Sequence, residues 1–217
     1  MKDKLITIDG PSASGKSTVS RLLAEKLGWS WVSTGAFYRG LAFVAKDQKV
    51  AVDDETTLTQ LVSDPCWKIQ LTAVKTMVLY NHKDITAEIS GEEVGAFASK
   101  ISQLPGVRQA LLDRQRACFS SGGPGLIAEG RDCGTVVFPE APLKVYLTAD
   151  PSRRAQRRSQ DDEESVEKTL EMQKKRDQQD SERKQAPLKA AQGAIIIDSS
   201  DMSLNQVVDQ IFGLYQA

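Results

Sequence analysis

Gly10-Pro11-Ser12-Ala13-Ser14-Gly15-Lys16-Ser17 decides how this chain is read. The stretch fits the phosphate-loop pattern G-x-x-x-x-G-K-[ST] without a gap. Its flanks fit as well. Leu5-Ile6-Thr7-Ile8 is a short apolar, β-branched run that reads as a buried strand. Val19, Leu22, Leu23 and Leu27 recur at helical spacing, and Gly28 is placed to end that helix. Strand, glycine loop and helix turn backbone N–H groups and a helix N-terminus toward a polyphosphate. Lys16 adds a full positive charge for the outer phosphates, and the Ser17 hydroxyl is the expected Mg²⁺ ligand. The expected ATP contacts are Gly10, Pro11, Ser12, Ala13, Ser14, Gly15, Lys16, Ser17 and Thr18.

Outward from the loop, strand-like and helical segments alternate. Strands are predicted at Leu5–Asp9, Trp29–Ser33, Gly125–Glu129, Leu143–Thr148 and Ala194–Asp198. Helices are predicted at Lys16–Leu27, Thr34–Asp47, Gly106–Phe119, Pro151–Ser159, Ser165–Gln179 and Ser203–Tyr215. This order predicts an α/β P-loop NTPase fold, a parallel sheet of about five strands with helices on both faces. Ligands belong at the carboxyl ends of its strands. One region departs from the alternation. Cys66–Thr72 has period two, and Met77–Tyr80 and Asp84–Thr86 flank a turn at Asn81–Asp84. That predicts a small antiparallel insert over 62–98, peripheral to the core. The rest divides into a core of 1–61, 99–150 and 185–217 and a helical lid over 151–184.

Bulk properties narrow the classes. The chain has 217 residues, enough for one sizeable core. Its 28 basic and 29 acidic side chains leave a net charge of −1, so no basic field points to nucleic acid or an anionic membrane. Met1-Lys2-Asp3-Lys4-Leu5 enters a strand at once, and no apolar run reaches spanning length. No signal peptide and a cytoplasmic location are expected. Cys66, Cys118 and Cys133 are odd in number and far apart, which suits a reducing compartment. The single histidine, His82, sits in the predicted turn and gives no basis for a zinc site.

A phosphate loop alone serves switches, motors and kinases. No N-K-x-D element reads a guanine base, and no transporter signature is present. A small kinase remains. Such an enzyme needs an acceptor-side anion pocket and mobile arginines. Arg153-Arg154-Ala155-Gln156-Arg157-Arg158, Asp161–Glu164 and Lys174-Lys175-Arg176-Asp177 form a charged, helical stretch. It is either a solvated surface hairpin or a lid that closes over the transferring group.

Three further motifs carry a resemblance. Ser33-Thr34-Gly35-Ala36-Phe37-Tyr38-Arg39 follows the second strand. Glu129-Gly130-Arg131-Asp132-Cys133-Gly134-Thr135-Val136-Val137-Phe138-Pro139 follows the third. Arg176-Asp177-x-x-Asp180-x-x-Arg183 closes the charged stretch. With the phosphate loop, these resemble the bacterial cytidylate kinases in their long form, which carries a small β insert, from residue 4 to about 215. The resemblance implies ATP-dependent phosphorylation of CMP and dCMP, with Mg²⁺, by a monomer that needs neither nucleic acid nor membrane. It implies that Thr34 and Arg39 lie beside the CMP phosphate and that Ser99 and Arg108 face the cytosine. Arg131 would contact the acceptor phosphate and Asp132 the base. Asp180 would hold the sugar hydroxyls with Arg176 against it. Arg183 would reach the phosphates from the lid, and Arg154, Arg157 and Arg158 would approach the donor phosphates. Lys16, Arg131, Arg157, Arg158 and Arg183 form the implied catalytic set. Thr34 stands where the family often has Ser, Glu129 replaces a common Asp, and Gln179 stands where Arg occurs. Asp9 and Glu129 both remain open as the carboxylate that orders the Mg²⁺ water shell. Two competing readings are a kinase for another small acceptor and a nucleotide-gated binding module without turnover.

Overall fold

The computed structural model describes residues 4–120, 123–162 and 165–216. Met1–Asp3 of the predicted N-terminal entry and Glu163 and Glu164 of the acidic run lie outside the described residues. The main sheet is built from β1 (Leu5–Asp9), β2 (Ser30–Ser33), β6 (Leu126–Gly130), β7 (Leu143–Thr148) and β8 (Ile195–Asp198). Its order is β2-β6-β1-β7-β8, and every pairing is parallel. The helices are α1 (Lys16–Leu27), α2 (Gly35–Asp47), α3 (Glu55–Val62), α4 (Glu92–Ile101), α5 (Pro105–Ser120), α6 (Pro151–Asp162), α7 (Val166–Ser181) and α8 (Leu204–Gln216). Each predicted strand and helix of the core is present, with shifts of one to three residues at some ends. Trp29 drops out of β2 because its N–H donates to Ala24 O and closes α1 with Gly28 as its left-handed cap.

The central strands β1 and β6 are covered on both faces, which is why β1 is mostly apolar, with Thr7 and Asp9 buried alongside its aliphatic residues. On one face Ile6, Ile8, Leu23, Val145, Leu147 and Ile211 pack together. On the other, Val32, Phe37, Leu41, Leu111, Leu126 and Ala128 do so. The small sheet pairs β3 (Trp67–Leu71), β4 (Thr76–Tyr80) and β5 (Lys83–Asp84) antiparallel. Asn81 and His82 both have positive φ between β4 and β5, the mark of a two-residue primed turn. The sheet is not peripheral in its packing. Trp67, Val78 and Ile85 are buried in the same cluster as Phe37 and Leu41 of α2. Its turn also covers the β2 edge: Trp31 N–H donates to Thr72 O at 3.1 Å, and Ser33 N–H to Thr76 Oγ1 at 3.0 Å. The predicted limits at 62 and 98 fall on the last residue of α3 and inside α4. Among the described residues no helix is long and apolar enough to cross a membrane.

Candidate active site at the carboxyl end of the sheet

The phosphate loop leaves β1 under tight steric control. Gly10 has a φ of 152°, and a Cβ there would stand 2.0 Å from Leu147 O of β7. Only glycine lets the loop pass that close. Lys16 is buried, and its Nζ donates to Pro11 O at 2.5 Å and to Ser14 Oγ at 3.3 Å. Burial, and then the Arg131 charge, push its pKa down to about 7, against Glu129, Asp9 and Asp177. A bound polyphosphate would add negative charge beside Nζ and favour its protonated form.

The two carboxylates near the loop differ in their partners. Asp9 accepts from Cys133 N–H at 2.8 Å and Gly134 N–H at 2.7 Å. Those donors open a π-helical turn, Cys133–Val137, so Asp9 straps β1 to the segment after β6. Burial pushes its pKa up to about 6 in spite of both bonds. Glu129, at the end of β6, instead accepts from Ser17 Oγ at 3.0 Å. Gly130 follows because a Cβ there would stand 2.2 Å from Thr34 Oγ1. The Thr34 hydroxyl donates to Glu129 O at 3.0 Å, which ties the N-terminus of α2 to the same strand end.

Arginines line the side of the cavity across from the phosphate loop. Arg39 Nη1 donates to Ile89 O at 2.6 Å and Gly91 O at 3.2 Å. Burial, then Arg158 and Arg131, lower its pKa. Arg131 Nε bonds Asp180 Oδ2 at 2.7 Å, and Arg183 bonds the other Asp180 oxygen. Arg176 is pushed down to about 10 by burial, then by Arg131 and Arg39. Arg108 pairs with Asp132 and donates to Ser102 O at 3.1 Å. Ser99 Oγ lies 3.3 Å from Gln179 Oε1 of α7. On α6, Arg157 Nη2 donates to Ser199 O at 2.8 Å.

One cavity of about 810 Å³ gathers most of the predicted residues. Ser12–Thr18 line one end, and Thr34, Arg39, Ser99, Arg131, Asp132, Arg157, Arg158, Arg176, Asp180 and Arg183 line the rest. Gly10 and Pro11 are not on its wall, and Arg108 stands behind Asp132. Asp180 bonds Arg131 and Arg183 with its two oxygens, and its charge also reaches Arg176. One expectation differs from the geometry. Arg154 does not reach the cavity. It is 6% exposed and held by Asp177, Ser12 O and Ala149 O. Its charge faces a carboxylate already in place. Sequence reasoning also left Asp177, Tyr38, Trp31 and Thr76 without roles, although the last three line the cavity. Asp177 carried a signal: it stands three residues before Asp180, on the same side of a helix.

Comparison with known proteins places the chain as a whole. The family model described as "Cytidylate kinase" matches residues 6–217. The chain is 53% identical over 207 residues to a cytidylate kinase from Bdellovibrio bacteriovorus, covering 95% of each chain. It is 46% identical to one from Azotobacter vinelandii, covering 95% of this chain and 93% of that one. The solved structure of an uncharacterized protein from Eubacterium ventriosum superposes with a TM-score of 0.51 at 14% identity over 98% of each chain, a likeness of fold alone. The chain belongs to the cytidylate kinase family.

Proposed function

We propose that the protein transfers the γ-phosphoryl group of ATP to CMP and dCMP in this cavity. One observation carries the reading. The phosphate loop and its buried lysine face Arg39, Arg131, Arg176 and Arg183 across a single space, with the Arg108–Asp132 pair at the acceptor wall. Two anionic substrates fit such a field, one at each end. ATP lies on Gly10–Thr18. The CMP phosphate lies among the arginines, and one of its oxygens attacks the γ-phosphorus in line. That oxygen is already ionised near neutral pH, so no strong general base is required. Rate enhancement comes from alignment and from positive charge on the transferring group. Lys16, Arg131 and Arg183 supply that charge from the cavity wall, and Arg157 and Arg158 supply it from the lid.

Mg²⁺ fits the oxygen donors present, the Ser17 hydroxyl and the Glu129 carboxylate it bonds. Ser17 would be its ligand, and Glu129 would order its water shell. Asp9 is committed to two backbone N–H groups. When bound, Mg²⁺ would offset phosphate charge. We also keep the division into a core (1–61, 99–150 and 185–217), an acceptor insert (62–98) and a lid (151–184). All the groups invoked come from one chain, so a monomer suffices, and the reaction belongs in the ATP-rich cytoplasm.

Base choice rests on donor–acceptor matching. Cytosine offers an N4 amino donor, and a carboxylate such as Asp132 only accepts. Uracil presents a carbonyl oxygen there, so two acceptors would meet in a closed pocket. Arg108 and Ser99 support the same choice. Each unpaired buried group costs about 1–3 kcal/mol, or roughly 10- to 100-fold in selectivity. The test is kcat/KM for CMP, dCMP, UMP and AMP, measured side by side by ADP release. CMP and dCMP should lead UMP by at least about tenfold. A faster reaction with another acceptor would refute the assignment, and ADP release indifferent to acceptor would favour a nucleotide-gated module.

A further inference from the structure

The charged pair excluded from the cavity, Arg154 and Asp177, forms a closed ring with the phosphate loop. Asp177 Oδ1 accepts from Ser12 N–H at 2.9 Å. Asp177 Oδ2 accepts from Arg154 Nη1 at 2.6 Å, and the same Nη1 donates to Ser12 O at 2.7 Å. Both backbone polar groups of Ser12 are thus gripped from the lid, the N–H by α7 and the C=O by α6. This is no surface ion pair. The two side chains are 7% and 18% exposed, so each bond is shielded from water. Gln173 of α7 donates to Arg154 O at 3.3 Å and fixes the two lid helices to each other. One turn beyond Asp177, Asp180 bonds Arg131 of the acceptor side.

We infer that Asp177 is a positioning residue for the donor nucleotide: acting through Ser12 and Arg154, it fixes the phosphate loop against the lid. The helix α7 then divides its labour, with Asp177 serving the donor loop and Asp180 the acceptor arginines. A loop held at Ser12 presents the N–H groups that follow it in one arrangement, and ordering the loop beforehand lowers the cost of binding. Without Asp177 the Ser12 N–H loses its acceptor and the Arg154 charge loses its counter-ion in a shielded place. The carboxylate also lies close enough to favour the charged form of Lys16.

The inference rests on the kinase reading above, and its test separates the two. Binding of β,γ-imido-ATP with Mg²⁺, and separately of CMP, is measured by calorimetry for the wild type, Asp177→Asn and Asp177→Ala. Asp177→Ala should weaken the ATP analogue by about tenfold or more, the value of a hydrogen-bonded charge. Asp177→Asn keeps an acceptor for Ser12 N–H and should fall between, and it is the near-isosteric variant if the alanine chain folds poorly. CMP affinity should hold in both, and KM for ATP should rise in turnover while KM for CMP does not. Two results would overturn the inference: a lowered melting temperature with ATP-analogue affinity unchanged, or equal losses for the analogue and CMP. A wild-type chain that binds the analogue but neither binds nor phosphorylates CMP would instead refute the kinase reading and leave the analogue comparison standing.

Discussion

Lys16→Met should make the nucleotide-free protein more stable while abolishing most of its activity. Nζ is buried, and burial with the Arg131 charge pushes its pKa from 10.5 down to about 7. Each unit is 1.36 kcal/mol, so holding the ammonium in the folded state costs at most about 5 kcal/mol below neutral pH. Methionine removes that cost and fills similar volume. It also forfeits the bonds to Pro11 O and Ser14 Oγ, which offset about 1–2 kcal/mol. A further part is lost because buried sites respond more like a medium of moderate dielectric. The net gain is on the order of 1–3 kcal/mol, and each kcal/mol moves the melting temperature of a chain this size by about 2–4 °C. The sign with pH follows from the lowered pKa. Between about pH 7 and 10.5 the unfolded chain binds the extra proton, so wild-type stability rises with pH through that window. The advantage of the variant is therefore full below about pH 7 and fades above it. Nucleotide narrows or cancels the difference, because ligand at about 100 times its Kd adds about 2.7 kcal/mol to the wild type and the variant forgoes most of that. Losing one preorganised charge should also lower kcat by about 10²-fold or more. Thermal melts at pH 6.5 and pH 9, with and without MgATP, together with ADP-release kinetics, supply the readouts. A variant that melts below the wild type without nucleotide, or that keeps near-normal kcat, would refute the reasoning.

Glu129→Gln keeps an acceptor for Ser17 but loses the charge, so the Mg²⁺ concentration at half-maximal rate should rise by roughly tenfold. An unchanged Mg²⁺ dependence removes Glu129 from that role. Asp132→Ala should narrow the CMP-to-UMP ratio of kcat/KM by about tenfold, because it removes the acceptor that cytosine matches. If both substrates fall together, Asp132 only holds Arg108. Arg157→Ala and Arg158→Ala should each lower kcat more than they raise KM for CMP, since lid charges act after closure. Arg157→Ala should also cost about 1–3 kcal/mol of stability through the lost bonds to Ser199, visible in thermal melts. Wild-type kcat in both single variants and the double variant would make this surface a solvated hairpin.

What the sequence reveals and what it hides have physical reasons. The inner strands β1 and β6 are legible because they are buried along their whole length and are mostly apolar, whereas the edge strands β2 and β8 are only partly buried. The helices α3 and α4 were not foreseen. The first is only eight residues long and is preceded by its N-cap Asp54, whose carboxylate accepts from Thr57 N–H at 3.0 Å. The second contains Gly95, a poor helix former, where a Cβ would stand 2.8 Å from Arg39 Nη2. The insert looked peripheral because period two reveals an apolar face without saying what covers it. Trp67 and Val78 turn that face onto α2. At the site, the motifs locate the loop and the arginines. They do not sort them. Arg154, Arg157 and Arg158 read alike in a basic run, yet Arg154 is turned onto Asp177 and the other two onto the cavity. Asp9 bonds residues more than a hundred positions away, and no local pattern announces such a strap.

The most direct test of the account is the dependence of ADP formation on CMP. The purified chain is supplied with MgATP, and ADP and CDP are counted in the same sample with and without CMP. Negligible ADP is expected without acceptor, and with CMP one ADP for every CDP. ADP formed at the same rate in both samples, or CMP left unphosphorylated while ATP binds, would contradict it.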